Sequence, residues 1–554
     1  MIRINGEGVS GGTAIGKIVF LKKDKPNIEK RKVRDTAAEI MRYRKAADLA
    51  KSELDNLYKT ALEKSGAETA EIFEIHKMML DDRDFIDDTE REITDRECCA
   101  EWAVSETSAR LAKRFSEMDS EYMCARAADI KDISDRLISI LTNGKGSDDG
   151  LSADGKLIVC ADELTPSETV RLDRERVVAF ATRFGSAQSH TAILARAMDI
   201  PAVITLGNAL SDAYDKMDAI ADGDEGCLYI EPTAAVTERA RYKIDKERRH
   251  RERLHRLVGM ENITLDGHRV MLYANIGSPD DAASALENDA SGIGLFRSEF
   301  LYMESSGYPS EEKQFEAYKG VLEKMGGKKV IVRTVDVGAD KNIGYFGLEH
   351  EENPALGFRA IRICLCREEI FKTQIRALLR ASVYGKLSVM LPMITSVDEV
   401  RESRRIINEV KTELRGANIP FDNAVELGIM IETPAAVMIS DLLAREVDFF
   451  SIGTNDLTQY TLAADRQNPN IARFYDPHST AVLRMIKQTT DNAHRARIWC
   501  GICGELAADE SMTETFLAMG IDELSVSPRA ILPLREKIRN TNVSAIKDDI
   551  LGGF

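Results

Sequence analysis

The stretch Asp448-Phe449-Phe450-Ser451-Ile452-Gly453-Thr454-Asn455-Asp456 reads as a short buried strand, 449–452, which a glycine ends and polar residues follow at once. Strand candidates of the same kind recur at 270–276, 292–296, 330–334, 387–391, 427–431, 498–502 and 524–526, with helical segments between most of them. Eight strands over about 260 residues is the size and count of a (β/α)₈ barrel, whose reacting groups sit where strands end. Those ends carry Arg297, Arg333, Glu432, then Asn455 and Asp456, then Cys503 and Glu505. Arg359 follows the third strand and Arg466 the sixth. Salt bridges scattered round a barrel rim are the bland reading, but packing alone does not put so many polar residues at one end of so many strands.

Toward the N-terminus the pattern changes twice. Residues 1–20 combine glycine turns with the apolar run Ile18-Val19-Phe20 and are expected to form a strand pair. Residues 33–143 lack proline and almost lack glycine, and Ile72, Phe73, His76, Met79 and Leu80 fall at helical spacing, which predicts a helical bundle. Gly144, Gly146 and Gly150 break that pattern. Strands and helices then alternate, with strands expected at 157–160 and 177–180 and a helix at 191–198. Because strand-like segments flank the bundle on both sides, the expected organisation is an α/β domain made of 1–20 plus 145–230, with the bundle of 33–143 inserted in it. A charged linker helix spans 231–262, carrying nine Lys/Arg against four Asp/Glu between 238 and 257, and the barrel occupies 263–554. A nucleic-acid arm would need aromatic or glycine interleaving that the linker lacks.

The chain has 554 residues, and at about 150 residues per domain three or four domains are expected. A hydrophobic fraction of 44% and a charged fraction of 30% are ordinary for a folded chain. The formal charge of −17 argues against nucleic acid and anionic membranes as partners, although local arginines can still hold a small anion. Nine cysteines form neither a disulfide framework nor a zinc ribbon. The first residues, Met1 to Glu7, carry no apolar signal run, and no stretch of about 18 apolar residues offers a membrane span. A reduced, cytoplasmic protein is the expectation.

The barrel-end residues suggest a ligand. Four guanidinium groups pair with phosphate or carboxylate oxygens and keep their charge. Glu432 and Asp456 offer hard oxygen ligands suited to Mg²⁺. A small phosphate-carboxylate is the expected substrate, and phosphoryl transfer by positioning and charge neutralisation the expected chemistry. A second constellation is Gly185-Ser186-Ala187-Gln188-Ser189-His190-Thr191, which puts a histidine at a helix start after a glycine turn. Free backbone N–H groups there can hold a phosphate, and a neutral imidazole can accept one. From this segment alone, a structural histidine fits equally well.

Taken together, these segments resemble the phosphoenolpyruvate–protein phosphotransferase family, Enzyme I of the sugar phosphotransferase system, over nearly the whole chain. The resemblance rests on Gly294-Leu295-Phe296-Arg297-Ser298-Glu299-Phe300-Leu301, on Glu352-Asn353-Pro354-Ala355-Leu356-Gly357-Phe358-Arg359-Ala360, on 448–460, and on Cys503-Gly504-Glu505-Leu506-Ala507. It implies that His190 is phosphorylated on Nε2, that Thr169 orients the imidazole, and that Arg297, Arg333, Arg359 and Arg466 hold phosphoenolpyruvate with Asn455 beside its phosphate. Glu432 and Asp456 would bind Mg²⁺, and Cys503 would protonate the enolate to release pyruvate. The bundle would dock the histidine-containing carrier HPr, matching over 72–80 and 126–130. Its Met/Phe stripe is better read as core, so Glu68, Glu71 and His76, expected to be exposed, together with Arg126, are the expected carrier contacts, because an acidic face steers a basic carrier. The α/β domain would swivel between barrel and carrier, and the barrel would form a homodimer.

The family commonly shows Gly-Gly-Arg-Thr-Ser-His after an Asp, whereas this chain has Arg183 through His190 reading Arg-Phe-Gly-Ser-Ala-Gln-Ser-His. Ser186 stands for a glycine suited to positive φ, and Arg183 reverses a charge. The alternative reading is therefore a low-turnover regulator or scaffold that binds the carrier. A dikinase sharing the histidine and barrel modules would need an ATP-binding domain, for which the N-terminal region is too short. Cys500-Gly501-Ile502-Cys503 is a CxxC only in spelling, since a barrel strand is the wrong setting for a redox pair.

Overall fold

A computed structural model describes the chain except residues 22–27, 66, 117–120, 144–154, 165–167, 169–171, 173–175, 187–188, 199, 304, 306, 339–342 and 554. The described chain forms two compact units, Met1–His250 and Arg251–Phe554. The charged helix Ala234–His255 runs across the division between them.

The first unit contains a mixed sheet of eight strands: β1 (Ile2–Asn5), β2 (Glu7–Ser10), β3 (Thr13–Phe20), β4 (Leu157–Ala161), β5 (Val177–Thr182), β6 (Ala202–Ile204), β7 (Asp218–Asp222) and β8 (Cys227–Ile230). Their order is β1-β8-β7-β3-β4-β5-β6-β2. The N-terminal twenty residues thus form three strands rather than a pair, and none pairs with another of the three. β1 runs antiparallel to β8, β2 antiparallel to β6, and β3 lies between β7 and β4. The break at Gly6 is a single residue and that at Gly11-Gly12 two residues, and across both the chain passes to a distant partner strand instead of folding back as a hairpin. β3 and β4 pair in parallel, and five helices lie between them in the chain: Thr36–Ser65, Ala67–Leu80, Arg83–Arg96, Ala100–Ser116 and Glu121–Asn143.

Those helices bury a core of their own, including Tyr43, Leu54, Phe73, Leu80, Phe85, Ile93, Val104 and Leu137. His76 belongs to the same inward stripe. The expectation that it is exposed is wrong: it is 0% exposed, its Nε2 lies 3.3 Å from Asp129 Oδ1, and its Nδ1 lies 3.6 Å from Asp132 Oδ2. Position 76 lies three residues after Phe73 and four before Leu80, so helical spacing turns it inward, and two carboxylates from Glu121–Asn143 make an imidazole tolerable there. Glu68 and Glu71 fall on Ala67–Leu80, and Arg126 on Glu121–Asn143, as backbone positions.

In the second unit eight parallel strands close into a barrel: β9 (Met271–Ile276), β10 (Gly292–Arg297), β11 (Lys329–Arg333), β12 (Lys386–Leu391), β13 (Glu426–Ile431), β14 (Phe449–Ile452), β15 (Trp499–Ile502) and β16 (Glu523–Val526). Side chains alternate in and out of the barrel wall. Outward residues such as Leu272, Val330, Ile429, Phe450, Cys500 and Leu524 join the core under the surrounding helices. Tyr273, Leu295, Ile331, Met390, Met430, Phe449 and Cys503 form a separate cluster within the barrel. The two cysteines of 500–503 therefore face opposite sides of the wall. Local signals set the helices in register with the strands; Val397–Gly416, for example, starts with a capping box between Ser396 and Glu399.

Candidate active site

The C-terminal strand ends bring charge together in a stepwise way. Arg297 and Arg333 are register partners at the last positions of β10 and β11, and Arg297 is exposed there. Arg333 is held from two sides: its Nη2 donates to Glu299 Oε1 at 2.8 Å, and its Nη1 lies 3.1 Å from Asp336 Oδ2. Arg359 donates through Nε and Nη2 to Asp336 Oδ1, at 3.1 and 2.8 Å. The Asp336 backbone N–H in turn donates to Glu299 Oε1 at 3.1 Å. One buried carboxylate, Asp336, thus links two guanidinium groups. Burial works against the Arg333 charge, but Glu299, Asp336, Glu432 and Asp456 more than offset it, so its pKa is raised. Its Nε is buried without a partner.

Glu432, one residue past the end of β13, is 1% exposed, and its Oε1 accepts from the Met393 N–H at 2.6 Å. Burial, then the neighbouring Asp456 and Asp336, push its carboxyl up to about 8 against the pull of Arg333. Asn455 and Asp456 stand in the first turn of the helix Thr454–Leu462. Arg466 Nη2 lies 3.9 Å from Asp456 Oδ1. Asn455 Nδ2 donates to Glu505 Oε1 at 3.2 Å, and the Glu505 N–H donates to Asn455 Oδ1 at 3.1 Å, which ties the ends of β14 and β15 together. The tie needs Gly504, where a Cβ would stand 1.8 Å from Thr454 Oγ1. Cys503 lies just before it, 3% exposed, and burial is the main cause that pushes its thiol up to about 12. The site therefore keeps a protonated thiol beside a cluster of paired cations and carboxylates. Glu432 and Asp456 are two hard oxygen donors; among the described residues no group of three or more His, Cys, Asp or Glu is arranged to hold a metal.

The sequence reading missed Glu299 and Asp336. Asp336 sits between Val335 and Val337, both 1% exposed, and an acid alternating with buried valines just past a strand end was the available signal.

In the first unit, His190 opens the helix His190–Met198, whose Leu194 and Ala195 pack on Val159, Ala161, Phe180 and Ala202 of β4, β5 and β6. Thr169 lies outside the described residues. Among the described residues of the preceding loop, Gly185 has a positive φ, +129°, and Ser186 does not. Arg183 is neutralised locally: it donates to Asp162 Oδ1 at 2.6 Å, to Asp212, and to the Leu210 carbonyl at 2.6 Å. The departures at 183 and 186 therefore demand neither a strained backbone nor an unpaired charge.

Comparison with known proteins agrees with this arrangement. Residues 251–543 match the model of the PEP-binding domain of PEP-utilising enzymes, 5–126 the N-terminal domain of those enzymes, and 153–226 their mobile domain. The phosphoenolpyruvate-protein phosphotransferase of Priestia megaterium is 41% identical over 98% of this chain and 95% of its own. That of Geobacillus stearothermophilus is 43% identical over 99% and 95%, and that of Bacillus subtilis (strain 168) 41% identical over 100% and 97%. With identity of this extent running through both units, the chain belongs to the phosphoenolpyruvate-protein phosphotransferase family.

Proposed function

We propose that the chain takes the phosphoryl group of phosphoenolpyruvate onto His190 and passes it to a histidine of an HPr-type carrier, releasing pyruvate, as the first step of sugar uptake by the phosphotransferase system. The observation that carries this reading is the grouping of Arg333, Arg359, Glu432, Asp456 and Cys503 at one end of the barrel. Arg297, Arg333, Arg359 and Arg466 hold the substrate's phosphate and carboxylate, with Asn455 beside the phosphate. His190 Nε2, oriented by Thr169, attacks phosphorus in line; the N–P bond forms as the bridging P–O bond breaks, and the electron pair stays on the enolate oxygen. Cys503 Sγ gives its proton to the methylene carbon, and pyruvate leaves. Glu432 and Asp456 would hold Mg²⁺, and a cation there would offset both the burial and the neighbouring carboxylates that raise Glu432. When bound, the ion supplies charge neutralisation at the phosphoryl oxygens.

On the same reading, Glu68, Glu71 and Arg126 contact the carrier, while His76 holds Asp129 and Asp132 from behind. The α/β domain swivels so that His190 serves barrel and carrier in turn, the barrel makes a homodimer, and the protein works in the cytoplasm. No helix among the described residues is long and apolar enough to cross a membrane. The test is incubation with radiolabelled phosphoenolpyruvate, with Mg²⁺ or with EDTA, for wild type and His190→Ala. Acid-labile, alkali-stable label that needs both Mg²⁺ and His190 is expected. No label on folded wild-type protein refutes the proposal.

A further inference from the structure

Glu523 opens β16 on the inward side of the barrel wall, since Leu524 and Val526 belong to the outer core. It is 0% exposed, and neither carboxyl oxygen has a hydrogen-bond partner. Two glycines leave the space it fills: a Cβ on Gly501 would stand 1.9 Å from its Oε2, and one on Gly294 2.4 Å from its Oε1. A barrel built for packing alone fills that layer with branched aliphatic side chains. Here β15, beside β16, and β10, one strand beyond β9, give up side chains to seat an acid. A bare charge in such a place is prohibitively costly, so the group stays neutral. Burial accordingly pushes its pKa well above the ordinary carboxylate value, with Asp522 adding to that and Lys329 opposing it. Tyr273 from β9 and Glu426 from β13 are the other titratable groups in this part of the barrel.

Its position relates it to Cys503. Gly501, the register partner of Glu523, and Cys503 are two residues apart and face the same side, so the backbone position of the acid lies about 7 Å below that of the cysteine along the strand direction. Ser451 is the register partner of Gly501 on β14; its hydroxyl is buried and lies beside the Cys503 thiol, within its hydrogen-bonding influence. The hydroxyl of Ser525 is instead engaged with Asn275 Oδ1 at 2.6 Å. At the N-terminal mouth of the barrel a cavity of about 660 Å³ is lined by Met271, Lys329, Glu426, Trp499 and Asp522. Met271 is the register partner of Glu523, so this opening comes within one layer of the acid. The Trp499 Nε1–H is a buried donor without a partner.

We infer that Glu523 is the internal acid that restores the proton of Cys503 through the Ser451 hydroxyl, and that it regains its own proton from water at the opposite mouth of the barrel. The inference rests on the reading that Cys503 protonates the enolate. The step balances without redox change. The S–H bond breaks as the C–H bond of the pyruvate methyl forms; the thiolate then takes the Ser451 proton while Ser451 takes that of Glu523, and the carboxylate takes one from water. Because Cys503 is almost fully buried, a route from behind lets it reset while product still covers the front. Glu523 touches no substrate and acts only through Cys503.

The test follows exchange of pyruvate methyl protons with D₂O by NMR, with Mg²⁺ present, for wild type, Cys503→Ala, Glu523→Gln and Ser451→Ala. Each variant is also scored for His190 labelling by phosphoenolpyruvate and for thermal melting. Gln is a neutral isostere of the protonated acid, so folding and labelling are expected to hold while exchange falls roughly 100-fold, the scale of a lost proton-transfer group. Ser451→Ala is expected to slow exchange in the same selective way. Unchanged exchange in Glu523→Gln overturns the proposal, as does a fall in exchange matched by equal losses of labelling and melting temperature, which marks a structural role. Exchange in Cys503→Ala equal to wild type overturns it by removing Cys503 from the proton's path. A wild type that labels no His190 defeats the phosphotransfer reading itself, and this proposal with it.

Discussion

Asp336→Asn is the most direct perturbation of the barrel site. The carboxylate is 3% exposed and holds Arg333 at 3.1 Å and Arg359 at 3.1 and 2.8 Å. Asparagine keeps the shape and one acceptor oxygen but removes the charge from both pairs. Removing one partner of a buried ion pair costs about 3–5 kcal/mol. If about 3 kcal/mol of that is lost from the positioning of the two guanidiniums, kcat/KM for phosphoenolpyruvate drops about 100-fold. The loss belongs in kcat. With one negative charge gone, the remaining cations attract an anionic substrate at least as well, so KM stays level or falls. Pyruvate release coupled to NADH oxidation by lactate dehydrogenase measures both constants, and a melting curve records the accompanying destabilisation. A Glu299→Gln variant and the double variant complete a cycle, in which non-additive losses are expected because both acids hold Arg333. The reasoning is refuted if Asp336→Asn keeps kcat/KM within about threefold of wild type, an effect of less than 1 kcal/mol.

Other outcomes follow from single features. With its thiol pushed up to about 12, Cys503 stays protonated at neutral pH, so its alkylation by iodoacetamide, mapped by mass spectrometry, should keep rising with pH past the point where free cysteine in the same buffer levels off. Gly504→Ala forces a methyl against Thr454 and should cost about 1–3 kcal/mol of stability, with a larger proportional loss of pyruvate release because the Asn455–Glu505 tie is displaced. The hydrogen bond to Asp522 raises the pKa of His494. Its stabilising contribution is fully present below the unfolded value of about 6.5 and disappears as pH rises through the folded value. The melting-temperature gap between wild type and His494→Gln should therefore be widest near pH 6 and close toward alkaline pH.

The barrel was legible because parallel strands covered on both faces read as continuous apolar runs, and each expected strand lies within one residue of the observed one at either end. The first sheet was harder. β6, β7 and β8 have three to five residues each, and Asp218 and Asp222 flank the apolar centre of β7, so no run stands out. Strand ends revealed which arginines and acids lie at one end of the barrel, yet not what holds them: Glu299 reaches Arg333 from the segment after the neighbouring strand β10, a pairing that single-strand patterns do not encode, while Asp336 turns back onto Arg333 from three residues further along the same segment. His76 shows the converse, a polar residue whose helical spacing already argued for burial and whose chemistry suggested otherwise. Glu523 was unreadable, since an acid at the start of a strand ordinarily faces water.

The pairing of β1 with β8 and of β2 with β6 also has a consequence for how the chain is made. Ile2 sits beside Ile230, and Glu7 beside Ile204. At a synthesis rate of about 5–20 residues per second, the N-terminal segment waits roughly 10–45 s for its partners to be translated. The bundle between Thr36 and Asn143 has a core of its own and can consolidate during that wait. Meanwhile Ile2 to Ser10 remain an unsatisfied strand edge on the nascent chain, a surface that a ribosome stalled before β8 would leave open to mispairing.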